Sequence, residues 1–445
     1  MKPRVLVVVG LSAVLALVAA LSIAAAGSAG TAAPTQANVK PPKVANAAAI
    51  KARYGGRSIT FIGDNIGLTH KRDLALAKQF TKDTGIKVKV ISHPQASTES
   101  YAQLARLFSS KSSSVDVMML DVVWPGAFAP YLVNLKPALS KEAKVHSQGI
   151  IKGATFDGKL VAMPYFGDYG ILYYRTDLLR KYGYSKPPTT WQQLGAMAKK
   201  IQAGEQDANP DFAGFVYQGN SYEGLTCDAL EWVASSGGGH FIDAGKASIN
   251  NAKAAAILNL QRSWVGNIAP RGVTSYQETE SHEAFAAGNA AFMRNWPYAY
   301  SVSQEGAVKG KFDVSVLPHT GRNPSVGTAG GWLLGISRYS KNVPVATEFV
   351  RYMTSPGAQK FMAIYSTNPP TIPAVAKDPA VVKANPWLKP AIANVARVTR
   401  PTQLGAKYQQ GSQAIYQGVN QILNGQDAKN VLPRIEQQLN RLLGR

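Results

Sequence analysis

Asp121 closes the hydrophobic part of Val115 to Pro125, V-D-V-M-M-L-D-V-V-W-P, with Trp124 three residues later. A carboxylate accepts hydrogen bonds from hydroxyls and an indole offers a flat apolar face, so the two suit the mixed polar and C–H surface of a sugar. A plainer reading stands beside it, with Asp121 capping a following helix and Trp124 filling core. Asp168 lies in a turn flanked by Gly167 and Gly170, where an ordinary turn aspartate is the alternative. Trp296 ends the run A-A-F-M-R-N-W-P, and Trp332 follows Gly330 and Gly331, whose missing side chains let a ligand approach the backbone. Large aromatics are equally at home in a core. Arg400 precedes Pro401, which keeps the backbone extended and fixes the direction of the guanidinium; a solvated surface charge is its alternative. Tyr222 and Glu223 sit in Q-G-N-S-Y-E-G-L, a loop able to close over a ligand.

Asp121, Asp168, Glu223 and Glu231 would also supply the two opposed carboxylates of a glycoside hydrolase. No G-x-S-x-G, H-E-x-x-H or phosphate loop supports an enzyme, and no cofactor motif is present. Tyr173 and Tyr174 lie in an apolar run without a companion His or carboxylate motif, so they read as core rather than metal ligands.

The elements that must position these groups follow from periodicity. Val115 to Pro125 is rich in β-branched and bulky residues, has no helical polar stripe, and stops at a proline; it predicts a buried strand. Ser58 to Ile62 predicts another, ending at Gly63-Asp64-Asn65. A helix spans about His70 to Lys82 with Leu74, Ala77 and Phe80 on one face, then a strand from Ile86 to Ile91 and a helix from Tyr101 to Ser110. This β-α-β-α-β order is that of a parallel sheet, in which ligands bind outside the carboxyl ends of the strands. Asp121 stands at such an end.

The totals set limits. The chain has 445 residues, long enough for two or three domains, and 45% hydrophobic with 17% charged residues marks it as globular. A formal charge of +22 raises nucleic acid as a partner. Yet the Lys and Arg are scattered, with no zinc-finger spacing, RNA-binding aromatic motif or basic helix, so the charge reads as a surface property and nucleic acid is set aside. An anionic membrane or cell-wall polymer is the minor alternative. Cys227 stands alone and reads as a small buried hydrophobe.

Lys2 and Arg4, an apolar run from Val5 to Ala26, and small residues to Ala33 have the three parts of a secretory signal, here assigned to residues 1–30. Cleavage is expected between Ala26 and Ala37, with no cysteine there for a lipid anchor. The run is also long enough to act as an uncleaved tether. Residues 31–54 lack periodicity and read as a flexible leader.

Several stretches together resemble a known family. F-T-K-D-T-G-I-K-V-K-V-I-S-H-P (Phe80 to Pro94) resembles the first helix-to-strand turn of maltose-binding proteins, and V-D-V-M-M-L-D-V-V-W the matching strand of trehalose- and maltose-binding lipoproteins. Asp157 to Pro164 resembles the family's G-K-x-Y-A-x-P hairpin, and Tyr165 to Asp177 the segment crossing between lobes. Pro187 to Trp191 is similar to its P-P-x-T-W helix start, where Thr190 is a plausible N-cap for a helix through Ala203, and Ala284 to Trp296 to its helix-to-strand return. Gly330-Gly331-Trp332 resembles its sugar-contacting G-G-W turn, and Arg400-Pro401 with Tyr408 its R-P…Y element. The family is the sugar-binding group of extracellular solute-binding proteins.

The resemblance implies an α/β periplasmic-binding-protein fold of two lobes. Each lobe would be a mainly parallel sheet flanked by helices, with the ligand cleft between them. Residues 55–166 with 298–340 would form the N-terminal lobe, and 167–297 with 341–445 the C-terminal one. It implies a monomer that carries a small-molecule sugar to the membrane permease subunits of an ABC importer. Asp121 and Asp168 become hydroxyl acceptors, Trp296 and Trp332 stacking platforms, Gly331 a backbone N–H donor, and Arg400 a bidentate donor. Tyr222 and Glu223 would close from the second lobe. Asn65 and His70 occupy the place of a polar sugar contact, with the acidic residue common there absent.

Overall fold

The computed structural model describes residues 39–387 and 396–445, so the expected signal and cleavage site lie outside the described residues. The chain folds around two sheets. In the first, β1 (Ser58–Gly63) pairs in parallel with β2 (Lys87–Ser92) and with β3 (Val117–Asp121). All five residues of β3 are buried, as its unbroken apolar character requires. Between these strands run α1 (Ala47–Tyr54, ahead of β1), α2 (Gly67–Thr84) and α3 (Ser97–Ser109). Gly85 ends α2 in the left-handed conformation with its N–H on the Thr81 carbonyl at 2.8 Å. The core face of α2 runs through Leu76, Ala77 and Phe80, whereas Leu74 is 44% exposed.

β4 (Ala162–Tyr169) belongs to the first sheet and β5 (Ile171–Arg175) to the second, so the chain crosses at Gly170. A helix, α4 (Trp191–Glu205), opens with a capping box between Thr190 and Gln193. The second sheet sets β5 antiparallel to β7 (Ala290–Asn295), which runs parallel to β6 (Ala213–Val216). Between β6 and β7 lie α5 (Glu223–Ser235) and α6 (Glu278–Ala286). β8 (Phe312–Ser315) completes this sheet on β5. The chain then returns through β9 (Val326–Ile336), antiparallel to both β3 and β4, with β10 (Ala396–Val398) parallel to its first residues. Both sheets are therefore mixed, because strands entering from the other sheet run against the β-α-β strands.

The structure differs from the sequence reading in several further places. Residues 47–54 of the expected leader form α1; with Ile50 its one buried residue, the helix has no apolar stripe to reveal it. Phe312–Ser315, expected with the first lobe, pairs in the second sheet. A helix expected with the second lobe, α7 (Val343–Met353), packs on the first: Phe349 meets Phe61 and Phe80 edge-on at 5.4 and 5.2 Å. Gly330-Gly331-Trp332 is part of the eleven-residue β9, not a turn. No helix of the described residues is long and apolar enough to cross a membrane.

Candidate functional site

Register places the first wall of the site. On β9, Trp332 lies opposite Asp121 of β3 on one side and Phe166 of β4 on the other. Gly330 faces Asp168 and Gly331 faces Gly167. The ladder shifts between Trp332 and Leu333, and Gly331 takes φ 130°. A side chain at Gly331 would put its Cβ 2.5 Å from the Phe166 carbonyl oxygen, so only glycine permits this approach of β9 to β4. The carboxyl ends of the parallel strands add to the wall: Asp64 follows β1 and His93 follows β2. The His93 ring stacks on Trp332 at 5.1 Å, while Trp124 meets Trp332 edge-on at 5.7 Å from within the core.

The opposing wall comes from the second sheet and its helices. Glu223, expected in a loop, opens α5, where a carboxylate complements the positive end of the helix. Trp296 follows β7, and its indole nitrogen donates to Glu278 Oε1 of α6 at 3.2 Å. The Arg294 guanidinium sits 4.0 Å from the Trp296 ring centroid and is itself held by Glu231 at 2.6 and 2.8 Å and Gln218 at 2.8 Å. Together these walls line a cavity whose empty space, its open mouth included, is about 720 Å³.

Of the sequence-predicted residues, Asp121, Asp168, Glu223, Trp296, Gly331, Trp332 and Arg400 line this cavity; Asn65, His70 and Tyr222 do not. Asn65 turns its backbone N–H to Asp64 Oδ1, and His70 sets its ring against the Asp64 carbonyl at 2.8 Å. Both brace Asp64, which brings to that end of the cavity the acidic residue that was expected to be missing. Tyr222 is buried behind α5, its hydroxyl packed where a Gly224 side chain would otherwise lie. His93, Thr69, Phe166, Glu278, Tyr298 and Asn368 also line the cavity and were not anticipated. Asp64 and His93 could have been found by the strand-end rule that picked out Asp121. Glu278 and Asn368 depend on long-range packing that no local pattern reports.

Arg400 is buried and bidentate, but its fork grips Asp121 at 2.9 and 2.5 Å and reaches Glu223 Oε1 at 2.8 Å. Tyr408 and Ser412 also donate to Glu223. Burial works against the Arg400 charge, but Asp121 and Glu223 beside it keep the group protonated. The Arg400 Nε has no partner among the described residues.

Asp168 stands apart. Its buried Oδ1 has no hydrogen-bond partner among the described residues. Burial, reinforced by the charges of Asp64 and Asp121, pushes its pKa well above the carboxylate range. Burial likewise raises Glu278, and raises Glu223 despite Arg400. The cavity thus offers aromatic faces, an unengaged carboxyl acceptor and a pre-organised Arg–carboxylate cluster, a combination fitted to a polyhydroxylated molecule. Among the described residues no group of His, Cys, Asp and Glu is arranged to hold a metal. Cys227 is buried in the cavity wall, its thiol pushed up by burial.

Two sheets joined by crossovers, with a polar, aromatic-lined cavity between them, define a two-lobed binding protein. The chain belongs to the family described as bacterial extracellular solute-binding protein, which its residues 68–360 match. It is 44% identical over 397 residues to a probable ABC transporter-binding protein of Deinococcus radiodurans, covering 87% of this chain and 94% of that one. Among solved structures, maltose-bound MalE3 of T. maritima superposes with a TM-score of 0.82 at 34% identity, covering 87% of this chain and all of that one. The GacH receptor of Streptomyces glaucescens shares the fold at a TM-score of 0.76 and 23% identity, over 87% of this chain and 98% of that one. Membership of this family makes the protein a binding protein for a solute rather than an enzyme.

Proposed function

We propose that the cavity captures a glucose-containing disaccharide of the maltose or trehalose type and that the lobes close around it as the chain bends at its crossovers. The observation that carries this reading is Asp168: a buried carboxyl oxygen left without a partner, set among Trp296, Trp332 and Asp121. A sugar hydroxyl supplies the missing donor, and charge-assisted bonds of this kind contribute about 1.5–3 kcal/mol each. Two indoles in the cavity lining offer two apolar faces, which suits a sugar of two pyranose rings. The maltose held by the T. maritima relative supports the same class. Asp64, Asp121 and Trp332 form one wall and Glu223, Glu278 and Trp296 the other, so a sugar touching both favours the closed state by its differential affinity. The closed protein, exported by its N-terminal signal and acting as a monomer, then delivers the sugar to the permease.

A thermal-shift screen over glucose, maltose, trehalose and polyols, with recovery of each sugar afterwards, tests the assignment. Disaccharides should raise the melting temperature most and be recovered intact. A larger shift with a polyol or monosaccharide would redirect the substrate class.

A further inference from the structure

The pole of the first sheet farthest from the cavity has its own chemistry. β1 and β2 are parallel six-residue strands whose carboxyl ends lead to Asp64 and His93. Their amino ends therefore lie about 20 Å away, at ~3.3 Å per residue. Arg57 enters β1 there and Lys87 opens β2, linked by the Lys87 N–H on the Arg57 carbonyl at 2.9 Å. The Lys51 stem passes 3.8 Å from the Cβ position of Gly85. Arg53 and Arg57 approach the Tyr54 ring to 5.1 and 5.8 Å. Lys43 and Lys82 both lie near Asp83, whose pKa is lowered: its partial burial is outweighed by the Val44 N–H, Gln79 and these two charges. All six cations are exposed.

Little negative charge offsets them. Between Val39 and Ser92 the chain has eleven Lys and Arg, three Asp and no Glu. Two of those aspartates, Asp64 and Asp73, are buried with Arg72. The same pole receives the chain from its N-terminal side, because α1 packs there: the Gly56 N–H binds the Gly85 carbonyl at 3.0 Å. Clustered, exposed Lys and Arg of this kind are attracted to anionic lipid headgroups.

We propose that this pole is a docking face for a bilayer surface rich in anionic lipids. Bound this way, the protein rests on the membrane through the amino ends of β1 and β2 with the cavity at their carboxyl ends open for capture, and it leaves this face when it delivers the sugar to the permease. Clustering of the charges around the point of chain entry favours a lipid surface over a linear polyanion.

The test uses the full chain, with binding to phosphatidylcholine vesicles as the baseline for the apolar N-terminus. One variant carries Lys43→Ser, Lys51→Ser, Lys82→Ser and Lys87→Ser. A control carries Lys199→Ser, Lys253→Ser, Lys383→Ser and Lys429→Ser, equal in charge and exposed elsewhere. On phosphatidylglycerol vesicles at low salt, binding above baseline should fall about tenfold or more in the first variant and less than about twofold in the control. It should vanish for both wild type and control near 0.5 M salt, where screening is short-ranged (roughly 4 Å). Equal losses in the two variants, or no preference for anionic vesicles, would overturn the proposal. So would retention on soluble polyphosphate without retention on vesicles. Sugar affinity, measured in parallel, should be the same in both variants, so failure here leaves the sugar assignment to its own test.

Discussion

Replacing Asp168 with Asn should make the unliganded protein more stable and a poorer sugar binder. In the free protein the Asp168 Oδ1 is buried without a donor, near Asp64 and Asp121. Asn keeps a polar group at this place but cannot ionise, so it escapes the cost that burial and the charges of Asp64 and Asp121 impose on a carboxylate; the variant should gain stability on the order of 1–3 kcal/mol near neutral pH. The pH dependence follows. Because the folded-state pKa is raised, the native protein holds this proton in a range where the unfolded chain has released it. Stability from this group is therefore greatest at acid pH and lost as pH rises from the unfolded pKa toward the raised one. Sugar hydroxyls prefer the ionised acceptor, so affinity should strengthen with pH across the same window. Asn keeps the shape but replaces charge-assisted bonds by neutral ones, a loss of about 1–2 kcal/mol, or roughly tenfold in affinity. Differential scanning calorimetry and sugar titration of both proteins across pH measure all three effects. Unchanged affinity in Asp168→Asn, or a fall in its melting temperature, would refute the assignment.

Gly170→Ala should destabilise by several kcal/mol in denaturant titrations, because its Cβ would lie 2.0 Å from Glu231 Oε1 and 2.6 Å from Arg294 Nη2, both buried at the crossover. Arg400→Met leaves Asp121 and Glu223 buried without their cation, a loss of about 3–5 kcal/mol. That deficit should shrink as pH falls and Glu223, whose pKa burial already raises, takes up its proton, which thermal melts across pH will show. Trp332→Ala should weaken sugar binding by about 2 kcal/mol by calorimetry, with a smaller loss of stability from its contacts to His93 and Trp124.

Much of the site was readable because strand ends announce themselves. Asp121 follows an apolar run that can only be buried, and the parallel β-α-β order points its carboxyl end at a cleft. Asp64 obeys the same rule, and its neighbours Asn65 and His70 support it from behind rather than facing the cavity. The two glycines before Trp332 suggested a turn; they are instead where β9 presses against β4, a contact visible only once the strands are paired. For Arg400, residue type and local backbone were legible and its target was not. The bond to Asp121 spans 279 residues, and no local signal distinguishes a guanidinium facing a ligand from one facing a carboxylate. Helix α1 was missed because its stability comes from contact with α2 and not from its own sequence.

The central claim, that a disaccharide is held between the two walls, is tested most directly by a crystal structure of the protein grown with maltose. The account predicts a sugar in the cavity with pyranose faces against Trp332 and Trp296 and a hydroxyl donating to Asp168. An empty cavity at saturating maltose, or a sugar bound away from Asp168 and both indoles, would contradict it.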